Sequence, residues 1–184
     1  MRIFVESLGC PKNAVDAEKM GELLRRAGHR LVSDPTRADC IIVNTCGFIE
    51  PARQESLRTL RELAAAAKPQ TLLVAAGCLP QREGSQLLEE VPELKGLLGT
   101  LRWHEAPEFL RHLPQGERPV WLGEPSASAE HLPGPRSPTA ASAYVKIADG
   151  CSAPCAFCTI PRIKGPYRSR PEPAILEEVR GLVE

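Results

Sequence analysis

Cys40-Ile41-Ile42-Val43-Asn44-Thr45-Cys46-Gly47 is the stretch that decides the fold. Its apolar run is too short for a helix and ends in a polar turn carrying a second cysteine and a glycine, so it reads as a buried strand with a loop at its carboxyl end. Working outward, Ile3 to Leu8 and Leu72 to Ala76 have the same form, and Arg30 to Val32 is a weaker strand candidate. Between them Met20, Leu23, Leu24 and Ala27, and later Leu57, Leu60, Leu63 and Ala64, recur at helical spacing. Further helices are expected over Gln81 to Glu90 and His104 to Leu113. Short apolar runs alternating with amphipathic helices mark crossovers between parallel strands, so the expected class is α/β with an open parallel sheet over residues 1–113.

The remainder of the chain reads differently. Residues 114–140 carry Pro114, Pro119, Pro125, Pro133, Pro135 and Pro138 with glycines between, a composition that favours an extended linker. Over 141–184, Ala143 to Ala148 reads as a strand, Asp149 to Ser169 as a long loop, and Glu172 to Val183 as a helix. That helix has an apolar stripe of Ile175, Leu176, Val179, Leu182 and Val183. One strand, one loop and one helix cannot bury a core of their own. Either the stretch is the start of a larger domain or it docks elsewhere.

Composition narrows the function. The 184 residues hold 23 Lys plus Arg against 23 Asp plus Glu, and zero net charge gives no whole-surface attraction to nucleic acid or to an anionic membrane. No run approaches the roughly 20 apolar residues of a membrane span, and Met1 to Glu6 lacks the apolar core of a signal peptide. A cytoplasmic setting with no membrane partner is therefore expected. Reducing conditions do not sustain structural disulfides, and the 7 cysteines, an odd number, cannot all pair internally.

Three cysteines share one kind of position. Cys10, Cys46 and Cys78 each lie just past the carboxyl end of an expected strand, beside a glycine. Open parallel sheets place ligands outside those strand ends, and glycine lets backbone approach a bulky inorganic group. Each thiol taken singly also reads as a small buried hydrophobe, and both readings stay open. Cys40, beside Ile41 and Ile42, reads as a buried thiol. The first strand leads into Gly9-Cys10-Pro11 without a GxGxxG turn, which disfavours a Rossmann dehydrogenase.

Gly150-Cys151-Ser152-Ala153-Pro154-Cys155-Ala156-Phe157-Cys158 is the strongest local signal. Three thiolates in a CxxxCxxC run can hold three corners of an iron-sulfur cube and leave one iron open for a substrate or cofactor. Zinc needs a fourth nearby ligand, and the nearest histidine in sequence is His131. Phe157 reads as a shield for such a cluster or as loop packing, and Asp149 as a loop hydrogen-bond acceptor. Arg162, Lys164, Arg168 and Arg170 read either as a patch for an anionic partner such as rRNA or as a solvated loop.

The CxxxCxxC run resembles the cluster motif of radical S-adenosylmethionine enzymes. With the three separated N-terminal cysteines, Tyr144-Val145-Lys146-Ile147-Ala148-Asp149-Gly150-Cys151 and Ile160-Pro161-Arg162-Ile163-Lys164-Gly165, the chain resembles the methylthiotransferase family. That resemblance implies an N-terminal open parallel-sheet methylthiotransferase domain (1–113), a linker (114–140), and the first βα unit of a radical SAM β/α barrel (141–184). It implies two 4Fe-4S clusters, an auxiliary one on Cys10, Cys46 and Cys78 and a radical-generating one on Cys151, Cys155 and Cys158. It further implies S-adenosyl-L-methionine as cofactor, an external electron donor and a sulfur donor. Later barrel strands and a TRAM domain lie outside the stretch, which by itself is expected to be weakly active or inactive.

Gly9-Cys10-Pro11-Lys12-Asn13, with Val15, Asp16 and Glu18, is similar to the branch acting on the twelfth protein of the small ribosomal subunit. The implied reaction, on that ribosomal protein free or in the ribosome, is methylthiolation of the β-carbon of one aspartate. The tRNA branch, which makes 2-methylthioadenosine from isopentenylated adenosine, more typically has glutamine and methionine after the first cysteine. A noncatalytic, metal-stabilised interaction module is the alternative from another class.

Overall fold

The computed structural model describes residues 1–123 and 142–183. Its first region is a sheet of β1 (Arg2–Ser7), β2 (Arg30–Leu31), β3 (Cys40–Thr45), β4 (Leu72–Gly77), β5 (Leu94–Gly99) and β6 (Val120–Trp121), in the order β2-β1-β3-β4-β5-β6. Every neighbouring pair is parallel. Parallel neighbours need crossovers. These run through α1 (Pro11–Arg26), α2 (Glu50–Ala66), the short α3 (Cys78–Glu83) and α4 (Gln86–Glu90), and α5 (Ala106–His112). The open parallel sheet expected from the sequence is thus present.

The pattern in β3 explains the three layers. All six of its residues are buried, and successive side chains alternate between faces. Cys40 and Ile42 join a cluster with Met20 and Leu24 of α1 and Phe109 of α5. Ile41 and Val43 join Leu57 and Leu60 of α2, with Leu79 and Leu87, on the other face. A sheet covered on both sides produces a continuous apolar run rather than an alternating one.

Several elements differ from expectation. Leu94–Gly99 is a strand that its glycines disguise, because Gly96 and Gly99 lower β propensity. Gly96 is required by packing, since a Cβ there would stand 2.7 Å from the Phe109 ring. β6 falls inside the expected linker, whose residues 124–140 lie outside the described residues. The single helix expected over Gln81 to Glu90 is two, broken at Gly84, whose φ is +61°.

In the second region the strand expected over Ala143 to Ala148 shrinks to β7 (Ala148–Asp149), paired antiparallel with β8 (Arg168–Ser169). Its partner is only two residues long, so residues 142–147 have no ladder to join among the described residues. The expected loop 149–169 contains α6 (Ile160–Lys164) as well as β8, and α7 spans Glu172–Val183 as expected. Leu176, Val179 and Val183 of its apolar stripe are exposed while Glu178 is buried.

Candidate functional site

The strand order reverses between β1 and β3, since the chain leaves β1 toward β2 on one side and resumes at β3 on the other. Open α/β sheets hold ligands in the crevice at such a reversal. Cys10 lies three residues past β1, at the cap of α1, Cys46 directly follows β3, and Cys78 follows β4 and opens α3. The pairings Ser7 with Asn44 and Thr45 with Gly77 put these positions on one edge of three adjacent strands. Cys10 and Cys46 both bear electrostatically on Cys78.

Two glycines make the approach possible. Gly9 has φ +88°, and a Cβ there would lie 2.5 Å from Cys46 Cβ and 3.0 Å from its Sγ. Gly77 has φ +94°, and a Cβ there would meet the Asn44 side chain and the Thr45 carbonyl. Side chains are excluded where the loops close on the thiols.

Asn13 then fixes the loops to one another. Its Nδ2 donates to the Leu8 carbonyl and to the Thr45 carbonyl, each at 3.0 Å, while the Cys78 thiol donates to its Oδ1 at 3.6 Å. Asn44 Nδ2 donates back to the Asn13 carbonyl at 2.8 Å. One buried amide therefore ties the chain before Cys10, the chain before Cys46, and Cys78 itself. Ser56 of α2 does the same for Cys46, its Oγ accepting from the Cys46 amide at 3.0 Å and donating to the Cys46 carbonyl at 2.8 Å.

The thiols differ electrically. Burial pushes Cys78 up to about 11, although the Lys164 ammonium pulls the other way. Cys40 is pushed to about 12 by burial, with Asp39 adding to the rise, and packs among Met20, Leu24 and Ile42. That is the inert buried thiol its sequence position indicates. Among the described residues no three His, Cys, Asp or Glu side chains gather tightly enough to hold a single metal ion. A four-iron cluster takes one thiolate per iron, so it needs thiols spread about a cube rather than converging on one point. Three strand-end thiols under a lining of glycines have the chemistry for that arrangement.

The second set sits in a loop pinned at its base. β7 and β8 close the ribbon, the Cys151 amide donates to the Gly165 carbonyl at 3.1 Å, and the Cys158 amide to the Cys155 carbonyl at 3.1 Å. Gly150, at φ +75°, is where the chain crosses Pro166, and a Cβ there would overlap the Pro166 carbonyl oxygen. Cys151, Cys155 and Cys158 line an open cleft of about 660 Å³ with Phe157, Arg162 and Pro166. Phe157, expected to shield a cluster or to pack the loop, is 89% exposed at the rim of this cleft. Thr159, just past the loop, donates to the Phe48 carbonyl at 3.4 Å, so this loop rests on the one that follows Cys46.

The expected basic patch is largely dissolved. Lys164 and Arg170 are buried, Lys164 against Asp16, Asp149 and Thr100, and Arg170 against Glu178 and the Lys146 carbonyl. Arg168 is half-buried and donates to the Lys164 carbonyl, and only Arg162 of the four is exposed. Asp149 caps the Gly150 amide at 3.0 Å, the local role expected of it, and also pairs with Lys12, Lys146 and Lys164. Burial pushes its carboxyl up, but those three ammonium groups and the Gly150 amide reverse the effect and hold it at about 2.

Sequence reasoning did not single out Asn13, Ser56, Asp16 or Thr100 as positioning groups. A signal existed on α1, where Asn13 and Asp16 stand one turn apart on the buried side that Met20 continues. Polar residues where an apolar stripe belongs mark buried hydrogen bonding.

Residues 2–99 match the family described as "Uncharacterized protein family UPF0004". The chain is similar to proteins named ribosomal protein uS12 methylthiotransferase RimO. It is 43% identical to that of Gloeobacter violaceus over 98% of this chain and 41% of the relative. Against that of Moorella thermoacetica it is 42% identical over 99% of this chain and 42% of the relative, and against that of Synechocystis sp. 44% over 98% and 40%. The chain thus spans about two fifths of the length of the curated relatives it matches.

Proposed function

Since the chain belongs to the UPF0004 family, in the branch of the ribosomal protein uS12 methylthiotransferases, we propose that it forms the N-terminal part of an enzyme that methylthiolates the β-carbon of an aspartate in uS12. The observation that carries the reading is the placing of Cys10, Cys46 and Cys78 on one edge of three adjacent strands, with a second, separately pinned cysteine loop resting on the same end. In this reading Cys10, Cys46 and Cys78 hold an auxiliary 4Fe-4S cluster, and Cys151, Cys155 and Cys158 hold a second one that binds S-adenosylmethionine. When bound, these cofactors supply the one-electron cleavage, the methyl group and the sulfur that the substitution of a C–H by a C–SCH3 bond requires.

The protein's part is positioning. Asn13 and Ser56 hold the first three thiols at fixed separations, and Gly9 and Gly77 keep side chains out of the space between them. The ribbon and the Gly150 crossing fix the base of the second loop, while its tip stays open to incoming ligand along the cleft. Residues 1–113 form the methylthiotransferase domain and the stretch from 141 begins the radical SAM domain. An electron donor and a sulfur donor act from outside, in the cytoplasm, where free thiols persist. Among the described residues no helix is long and apolar enough to cross a membrane.

Anaerobic reconstitution, with iron and sulfide assays and Mössbauer spectra before and after replacing Cys151, Cys155 and Cys158 by alanine, tests the division. Two four-iron clusters, of which the replacement removes one, are expected. Zinc alone, or one cluster lost on replacing either set, sinks the two-site reading. Mass spectrometry of uS12 treated with the longer protein then tests the substrate, and modification of tRNA instead of uS12 overturns that part.

A further inference from the structure

Between the two cysteine sets lies a buried group of charges that neither set uses as ligands. Asp16 of α1 pairs with Lys146 through Oδ1 and with Lys164 through Oδ2 at 3.4 Å. Asp149, two residues before Cys151, pairs with Lys12 at 3.5 Å, Lys146 at 3.3 Å and Lys164 at 3.4 Å. Three ammonium groups thus share two carboxylates. Lys12 is 47% exposed along its side chain and has water for company, whereas Lys164 is only 4% exposed.

Lys164 is also the one that reaches toward the first set. Its short bond, at 2.6 Å, goes to the neutral hydroxyl of Thr100, and both of its carboxylates are divided with other lysines at longer range. Thr100 follows Gly99, the register partner of Gly77, which immediately precedes Cys78. α6, which carries Lys164, rests on α3, which Cys78 opens. The ammonium is therefore set beside Cys78, and its field reaches that thiol. Each anion near a buried cation favours its charged form, and Asp16 and Asp149 already hold Lys164 as the ammonium against the cost of burial.

We propose that Lys164 is a positioning residue that couples the two cysteine sets, so that an anionic cluster on Cys10, Cys46 and Cys78 tightens the seating of residues 142–183 on the sheet domain. The inference rests on the proposed cluster at the first set. Metal binding requires thiolates, so loading adds negative charge at Cys78, in a water-poor setting, to the two carboxylates that already face the Lys164 ammonium. Coupling is reciprocal: the seated segment strengthens retention of the first cluster by the same factor. Loss of seating moves Lys164 out of reach and leaves the first set without this cation.

The test uses the chain with Cys151, Cys155 and Cys158 replaced by alanine, so that iron enters only the first set. Hydrogen exchange over α6 and α7 is followed with and without anaerobic iron-sulfide reconstitution. Loading is expected to slow exchange there by at least about fivefold, the lower end of ordinary coupling between sites. Lys164→Met is expected to abolish that ratio, and Lys164→Arg to keep most of it. Lys19→Met, which breaks a different contact with the same segment, is expected to speed exchange in both states and leave the ratio intact. Equal exchange with and without iron in the Lys164 chain overturns the coupling, as does an undiminished ratio in a folded Lys164→Met. Iron and sulfide assays separate this from failure of the parent reading, because a first set that takes up no cluster overturns both.

Discussion

Between residues 1 and 123 the interior is two apolar clusters, one on each face of the sheet, whereas between 142 and 183 Ile163 is the one buried hydrophobic residue among those described, beside buried Lys164, Arg170 and Glu178. The sheet domain is held by area removed from water, a force with no preferred direction. Residues 142–183 are held by ion pairs and hydrogen bonds, whose cost of desolvation is offset only in the right geometry. Apolar contact sets how firmly a unit holds; buried charge sets where it sits. The segment carrying the second cysteine set is therefore placed by partners that are selective rather than adhesive.

The sharpest way to break this contrast is in the apolar half. Phe109→Ala empties the site where its ring meets Trp121 edge-on at 5.4 Å, and should cost about 4 kcal/mol in denaturant unfolding of the whole chain. In the charged half, Lys19→Met leaves Glu178 buried without its 2.6 Å partner and should cost about 3 kcal/mol. That loss should register as faster hydrogen exchange in α7, with the strands of the sheet retaining their protection. Adding Glu178→Leu should not restore it, since the buried Arg170 guanidinium, which pairs with Glu178 at 2.7 Å, then loses its carboxylate. If Lys19→Met lowers sheet protection as much as Phe109→Ala does, the two halves are not held differently.

Asn13→Ala tests a polar group inside the apolar half. Two carbonyls lose their donor, and about 2 kcal/mol should be lost in denaturant unfolding. Iron retained by the first cysteine set should fall with it, while iron at Cys151, Cys155 and Cys158 stays. The mildest probe is acid. Burial pushes the Glu178 carboxyl up, but the Lys19 hydrogen bond and the charges of Lys19 and Arg170 more than reverse this, leaving it below the usual range. A carboxyl depressed on folding contributes fully above its unfolded value of about 4.3 and loses that contribution as pH falls through the folded one. Protection of α7 should hold down to about pH 5 and fade below about pH 4, ahead of the sheet. Fading on the alkaline side of neutrality instead would assign the seating to another group.

The sheet was legible because β1, β3 and β4 are apolar runs with loops in predictable places, and the cysteines stood at their ends. β5 was hidden because Gly96 and Gly99 are there for close packing, which a single sequence records only as weak strand propensity. Residues 142–147 read as a strand from their apolar content, but a strand exists only with a neighbour, and β8 offers two residues. At the site, the thiols were visible and their supports were not. Asn13 looks like a polar residue in a first helical turn until three loops converge on it. Lys164 looks like one of four basic residues in a solvated stretch until its partner, Asp16, is seen 148 residues earlier in the chain. Contacts of that span leave no local periodicity to read.

Each cysteine set has one member open to solvent, Cys10 in the first and Cys155 in the second, with the other two more enclosed, while Cys40 is sealed in the apolar interior. In kinetic terms this ranks the thiols by who is met first. An incoming iron, an alkylating reagent or an oxidant reaches Cys10 and Cys155 before their companions, so each set has a single doorway through which assembly starts and through which air does its first damage.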